Sequence, residues 1–407
     1  MLSNLNMPEK PNRKLKIALF YSLMFSMTLI ICFLILEYGF SKFYYSNVIY
    51  VKDKDFDPEL GWLYKTGTYW IKPTHSFFKH SIYINKHGLR NREINLTKEN
   101  GTKRIIILGD SFTFSKAIKD EDIFPRRLEI ILNQNSPDKY EIINAGVEGY
   151  GTVQELLLMR RLADNNVTGD IYLLMIFLND ILDNLCLTYA KADENLVQPK
   201  YDLYNNKLVL RRQPEKETKD TGNLISVRGK KHKIMVFKTL KIKLESFLQT
   251  KPLLISFFNN IGLDIKFPRV PGIITGYNEE ILKNGIPILK ESIREIKSEA
   301  ERHHAKLLIS LIPSPLQVYP DTYGPLLKRT FPDNRLVDKW LEDKLVHQRL
   351  IKEICKELNI PFLDLFPILY KNNNKEMYIS MEGHFSEKGH AIVADSLTTF
   401  INQFSRP

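Results

Sequence analysis

Four short segments carry the residues able to do chemistry. Gly109-Asp110-Ser111 follows the apolar run 105–108, and Asn144-Ala145-Gly146-Val147-Glu148-Gly149 follows Ile142-Ile143. Asn179-Asp180 follows the run 171–177, and Glu382-Gly383-His384 precedes the last helical pattern. A serine after a strand is often only a helix cap. Its company changes that reading for Ser111. A serine hydroxyl is a weak nucleophile until a base takes its proton, and the imidazole of His384 titrates in the useful range. A carboxylate would fix the imidazole tautomer and steady the imidazolium, and Glu382 is the nearest in sequence. The oxyanion of a tetrahedral intermediate needs preorganised donors, which the backbone N–H groups of Ser111 and Gly149 and the side-chain amide of Asn179 would supply. Together these groups describe nucleophilic acyl transfer through a serine ester.

The elements that must position these groups follow from periodicity. The runs at 105–108, 142–143, 171–177, 307–312 and 361–365 are short and apolar, as strands of a buried parallel sheet are. Between them lie amphipathic helical patterns: Phe124, Leu128, Ile131 and Leu132 on one face; 153–163, opened by a Thr152/Glu155 capping box; Ile286, Leu289, Ile293, Ile296 and Ala300; 337–358; and 389–401 with Ser386 as its N-cap. Strands alternating with helices predict a three-layer α/β/α domain with a central parallel sheet. The alternation begins at 103 and runs to 407, interrupted by an irregular insertion at about 186–276 that contains a hairpin, 201–211, around Asn205-Asn206. In open sheets of this kind functional groups gather beyond the carboxyl ends of the strands, where three of the four segments fall.

In that order the segments 107–113, 144–149, Asn179-Asp180 and His384 resemble the four signature segments of the SGNH, or GDSL-type, hydrolases. The resemblance spans about 104–400. It implies an SGNH/flavodoxin-like fold, Ser111 as nucleophile through an acyl-enzyme, and no cofactor. Two positions depart from the family pattern. Glu382 stands two before His384 where Asp is usual, and Phe177 replaces the Gly of a Gly-x-Asn-Asp segment.

Residues 17–36 contain no charge and are long enough to span about 30 Å as a helix, the thickness of a bilayer core. Lys10, Arg13, Lys14 and Lys16 crowd the preceding flank, so the positive-inside rule predicts a cytoplasmic tail at 1–16, a transmembrane helix at 17–40 and everything after it outside the cytoplasmic membrane. Residues 36–40 offer no small-residue cleavage site, so an uncleaved anchor is expected. Residues 41–102 form a lead-in rich in aromatic and turn residues.

Composition excludes several classes. A chain of 407 residues, 43% hydrophobic and 26% charged, is globular, and its +11 net charge is spread among 47 acidic residues without a basic stripe, so no nucleic-acid partner is expected. There is no P-loop, no dinucleotide fingerprint and no G-x-S-x-G elbow. His303 and His304 are adjacent and cannot face one another on a helix, so no metal site is expected there. His390 reads as a packing or capping histidine, and Asp110 as a hydrogen-bonding turn residue. Cys186 and Cys355 read as small buried hydrophobes, with pairing left open to geometry. The expected partners are therefore the membrane, an acylated carbohydrate or lipid substrate, and an acyl-donating protein in the same membrane if acyl groups are transferred. The leading expectation is an O-acetylesterase or O-acetyltransferase of an envelope carbohydrate. A lipase or thioesterase, and a non-catalytic module that keeps the fold, are the alternatives.

Overall fold

A computed structural model describes residues 13–45, 54–71, 80–187, 196–216, 277–330, 335–379 and 383–404. In chain order its strands are β1 (Lys54–Asp57), β2 (Gly61–Tyr64), β3 (Gly67–Ile71), β4 (His80–Ile84), β5 (Thr102–Gly109), β6 (Lys139–Gly146), β7 (Ile171–Ile176), β8 (Leu196–Val197), β9 (Lys200–Tyr204), β10 (Lys207–Arg212), β11 (Glu215–Lys216), β12 (Lys306–Leu311) and β13 (Phe362–Asp364). Five of them form one sheet in the order β6-β5-β7-β12-β13, and every pairing in it is parallel. Counted by appearance, that order is 2-1-3-4-5, the flavodoxin-like arrangement, whose switch point lies between the first and third strands.

Successive strand residues point to opposite faces, and the two faces bury different helices. Ile106 and Leu108 of β5, with Tyr172, Leu174 and Ile176 of β7, pack in one cluster with helices Thr152–Asp164, Glu279–Arg302 and Val346–Glu357. Their neighbours Ile105, Ile107, Leu173 and Met175 pack in a second cluster with helices Phe124–Asn135, Phe366–Lys371 and Glu387–Asn402. This is the expected α/β/α sandwich. Because β7 is buried along its whole length, it shows the continuous apolar texture of a central strand.

The lead-in is part of the same core. Leu60, Trp62, Tyr64, Ile71, Ile82 and Ile84, from the antiparallel pairs β1–β2 and β3–β4, join the first cluster. Just after β4, the buried Arg90 donates to the carbonyls of Phe114 (2.9 Å), Ser115 (2.5 Å) and Ile118 (2.6 Å), and its Nε donates to Asp120 at 2.8 Å. The predicted hairpin is β9–β10, and Asn205 and Asn206 take the positive φ values, 50° and 56°, that its two-residue turn requires. The remainder of the insertion, 188–195 and 217–276, lies outside the described residues.

Two expectations are corrected. The pattern at 337–358 is not one helix but two, Arg335–Glu342 and Val346–Glu357, because the Asp343 carboxylate accepts from the Leu345 N–H (3.2 Å) and offers the backbone a turn instead. Thr152 and Glu155 form no capping box either. The cap is Gly151, Thr152 opens the helix, and Glu155 is fully buried. By contrast, the Ser386 hydroxyl does cap the last helix, accepting from the Gly389 N–H at 3.2 Å.

The N-terminal helix, Arg13–Tyr45, belongs to a separate compact unit. Its stretch 17–38 has a mean hydropathy of 2.4 and is nowhere buried by protein, so by length and composition it can cross a membrane. The Thr28 hydroxyl donates to the Met24 carbonyl at 2.9 Å, which leaves that polar group satisfied in an apolar setting.

Candidate active site

Three parallel strands end on the same edge and deliver the site. β5 runs into a single helical turn, Ser111–Phe114, whose N-cap is Asp110: its carboxylate accepts from the Phe112 N–H at 2.8 Å. That fixes Ser111 as the first residue of the turn, at the switch point of the sheet. Gly109 permits the turn to fold back so closely, since a Cβ there would come within 2.2 Å of the Thr113 hydroxyl.

His384 stands 273 residues later, yet its Nε2 lies 2.8 Å from the Ser111 Oγ. The imidazole packs on Phe112 with ring centroids 4.9 Å apart, and its carbonyl accepts from the Ile379 N–H at 2.7 Å. A proton on Nδ1 leaves Nε2 as the acceptor, the tautomer in which the ring takes the serine proton. Glu382, the expected carboxylate partner, lies outside the described residues.

The three expected oxyanion donors stand at the ends of β5, β6 and β7. Gly149 is buried with φ +81°, a left-handed conformation that suits glycine. Its N–H has no hydrogen-bond partner among the described residues. The Asn179 amide donates to the Asp183 carboxyl at 2.6 Å and also bonds the Asp110 carboxyl, which together orient it.

Two groups of carboxyls lie around the site in roles that the sequence did not give them. On one side, Glu148 is held by the Tyr64 hydroxyl (2.7 Å) and by the ammonium groups of Lys116 (3.7 Å) and Lys54 (4.0 Å). Burial alone would raise its pKa, but Lys116, Lys54, the Tyr64 bond and the nearby His384 outweigh burial and bring it to about 2. On the other side, Asp110, Glu155, Asp180 and Asp183 are all buried. Burial pushes Asp110 up to about 6 against the pull of the Phe112 N–H. Glu155, Asp180 and Asp183 are raised well above the ordinary carboxylate range, by burial first and then by the charge of neighbouring carboxyls, Asp110 among them in each case. The Thr152 hydroxyl donates to Asp180 at 3.3 Å, while neither carboxylate oxygen of Glu155 has a hydrogen-bond partner. Glu148 already lay inside the segment 144–149; Glu155 was marked only as a capping-box residue, because its burial comes from tertiary packing and leaves no local pattern.

The secondary histidines are structural. His390 accepts from the Phe124 N–H at 3.1 Å and so starts that helix, and burial first, then Arg90 and Arg127, keeps it neutral. His303 lies 3.3 Å from the Glu299 carboxylate, and no cluster suited to a metal exists among the described residues. All three cysteines are free.

No family model matches the sequence. No curated protein matches it either. Among solved structures, similar chains include a lipase/acylhydrolase from Enterococcus faecalis (13% identity, 75% of this chain and 98% of that one, TM-score 0.36). A member of the lipolytic protein G-D-S-L family from Veillonella parvula DSM 2008 is also similar (13%, 75% and 100%, 0.36). So is a catalytic mutant of an acetylxylan esterase from Geobacillus stearothermophilus (11%, 75% and 96%, 0.36). Likeness at this level is not what assigns the chemistry, which rests on this chain's own residues.

Proposed function

We propose that the protein is a membrane-anchored serine ester hydrolase of the SGNH type. The observation that carries this reading is the 2.8 Å contact between His384 Nε2 and Ser111 Oγ at the switch point of a parallel sheet. In the proposed cycle His384 takes the Ser111 proton as Oγ attacks the ester carbonyl, and the N–H groups of Ser111, Gly149 and Asn179 receive the oxyanion. The imidazolium returns that proton to the leaving alcohol, which leaves an acyl-serine. Water, deprotonated by the same imidazole, then attacks the acyl carbonyl, and the imidazolium returns that proton to Ser111 Oγ as the acid leaves.

The substrate proposed is an O-acetylated carbohydrate of the cell envelope, reached from the outer side of the cytoplasmic membrane. The apolar helix and the basic flank before it support that placement. A sugar hydroxyl in place of water would turn the same acyl-enzyme toward transfer. A fluorophosphonate probe should label wild-type protein and leave Ser111→Ala unlabelled; a folded wild type that does not react refutes the serine assignment. Acetate release from acetylated polysaccharide should require both Ser111 and His384, and release by a different acyl ester alone would displace the carbohydrate assignment.

A further inference from the structure

The N-terminal hairpin sets the orientation of the peptide that carries one oxyanion donor. A peptide unit is planar and trans, so the carbonyl of residue 148 and the N–H of residue 149 point in opposite directions from one rigid plane. The Glu148 carbonyl accepts two hydrogen bonds, from Lys54 Nζ at 3.0 Å and from the indole Nε1 of Trp62 at 3.1 Å. Both donors come from the β1–β2 pair, 94 and 86 residues earlier in the chain.

The hairpin is itself held against the same turn. The Tyr150 hydroxyl donates to the Trp62 carbonyl at 2.5 Å, Gln154 Nε2 donates to the Leu60 carbonyl at 2.7 Å, and the Trp62 and Tyr150 rings meet edge to face at 5.7 Å. Trp62 is only 1% exposed and Tyr150 is fully buried, so these bonds are shielded from competing water. The turn needs such a brace. A glycine in the left-handed region turns its flanking peptides at low steric cost, and no group among the described residues bonds the Gly149 N–H to fix it directly.

We propose that Lys54 and Trp62 are positioning residues for acyl transfer: by gripping the Glu148 carbonyl they hold the Gly149 N–H in the direction that receives the oxyanion. This rests on the serine hydrolase reading. Both act through the 148–149 peptide.

The test uses the full chain in detergent, with p-nitrophenyl acetate turnover and the rate of Ser111 phosphonylation as readouts. In Trp62→Phe/Lys54→Met, kcat should fall about tenfold to a hundredfold with KM within about twofold, since a misdirected donor forfeits part of the 10² to 10³ that an oxyanion donor supplies. Phosphonylation should slow in parallel. Lys54→Met alone should lose severalfold, and Lys54→Arg should recover most of it, because a guanidinium N–H reaches the same carbonyl. Lys116→Met removes a charge from the Glu148 carboxylate without touching its carbonyl and should stay within about twofold of wild type. A folded double variant with wild-type kcat overturns the clamp and leaves the serine assignment standing. Equal losses in Lys54→Met and Lys116→Met also overturn it, because the cause would then be charge. Should the double variant not fold, Lys54→Met with undiminished kcat is sufficient to reject the proposal. A wild type inert to both reagents overturns the serine reading and the clamp with it.

Discussion

On one side of Ser111 a carboxylate is kept charged; on the other, a group of carboxyls is kept neutral. Glu148 retains 18% side-chain exposure and has two ammonium neighbours and a phenol donor, so its anion is favoured. Glu155, Asp180 and Asp183 are buried close to other carboxyls, and burial outweighs the Asn179 bond to Asp183 and the Thr152 bond to Asp180, so their protonated forms are favoured. The same functional group takes opposite states within one site because the surroundings, not the residue type, set the balance of desolvation and charge. The expected division of labour is that the charged side governs rate and the neutral side governs stability.

Four experiments break or sharpen that division. Ser111→Ala, between the two sides, should cut p-nitrophenyl acetate hydrolysis by about 10⁴ or more while thermal unfolding stays close to wild type. Glu148→Gln keeps the Tyr64 contact but removes the charge near His384. Its kcat/KM should fall severalfold, and the acid limb of the pH profile should move to lower pH, because the imidazolium loses a stabilising anion. An unmoved acid limb would show that Glu148 does not act on the histidine.

Glu155→Gln should do the reverse, leaving turnover near wild type and changing stability with pH. The sign follows from linkage. A carboxyl whose folded pKa lies above its unfolded value of about 4 favours folding most below that value and costs stability as pH rises toward the folded value. An amide in its place escapes that cost. The variant should therefore match wild type near pH 4 and melt higher at pH 8, by about 2 to 4 °C for each kcal/mol recovered. Glu148 has the opposite sign, and its contribution fades only as pH falls from about 4 toward 2. Equal melting curves for Glu155→Gln and wild type at pH 8 would mean that the buried side is not held neutral. Tyr64→Phe removes a single hydrogen bond to Glu148, worth about 1 kcal/mol, and should lower turnover by about twofold at most.

Much of this arrangement was legible in sequence because the signals were local. Strand runs, the Asn205-Asn206 turn and the Ser386 cap are decided by neighbouring residues, and the structure has them where the pattern put them. The Ser111 and His384 segments were visible as strand-end and pre-helix motifs, although nothing in composition gave their 2.8 Å approach. Tertiary contacts account for the misses. Thr152 and Glu155 have the spacing of a capping box, but both are buried, Thr152 bonds Asp180, and Glu155 has no hydrogen-bond partner among the described residues. Lys54 and Trp62 read only as part of the lead-in, with no role at the site, since a contact 94 residues away leaves no local pattern.

The Arg90 side chain gives the lead-in a practical meaning. A fragment cut at 103, where the strand–helix alternation begins, would keep all five strands of the sheet. It would also remove the guanidinium that binds three carbonyls just after the Ser111 turn, and it would bare the apolar surface now covered by Leu60, Trp62 and Ile82. The smallest piece worth expressing without the apolar helix therefore keeps everything from β1 onward, and its boundary is set by those buried contacts and not by the first strand of the sheet.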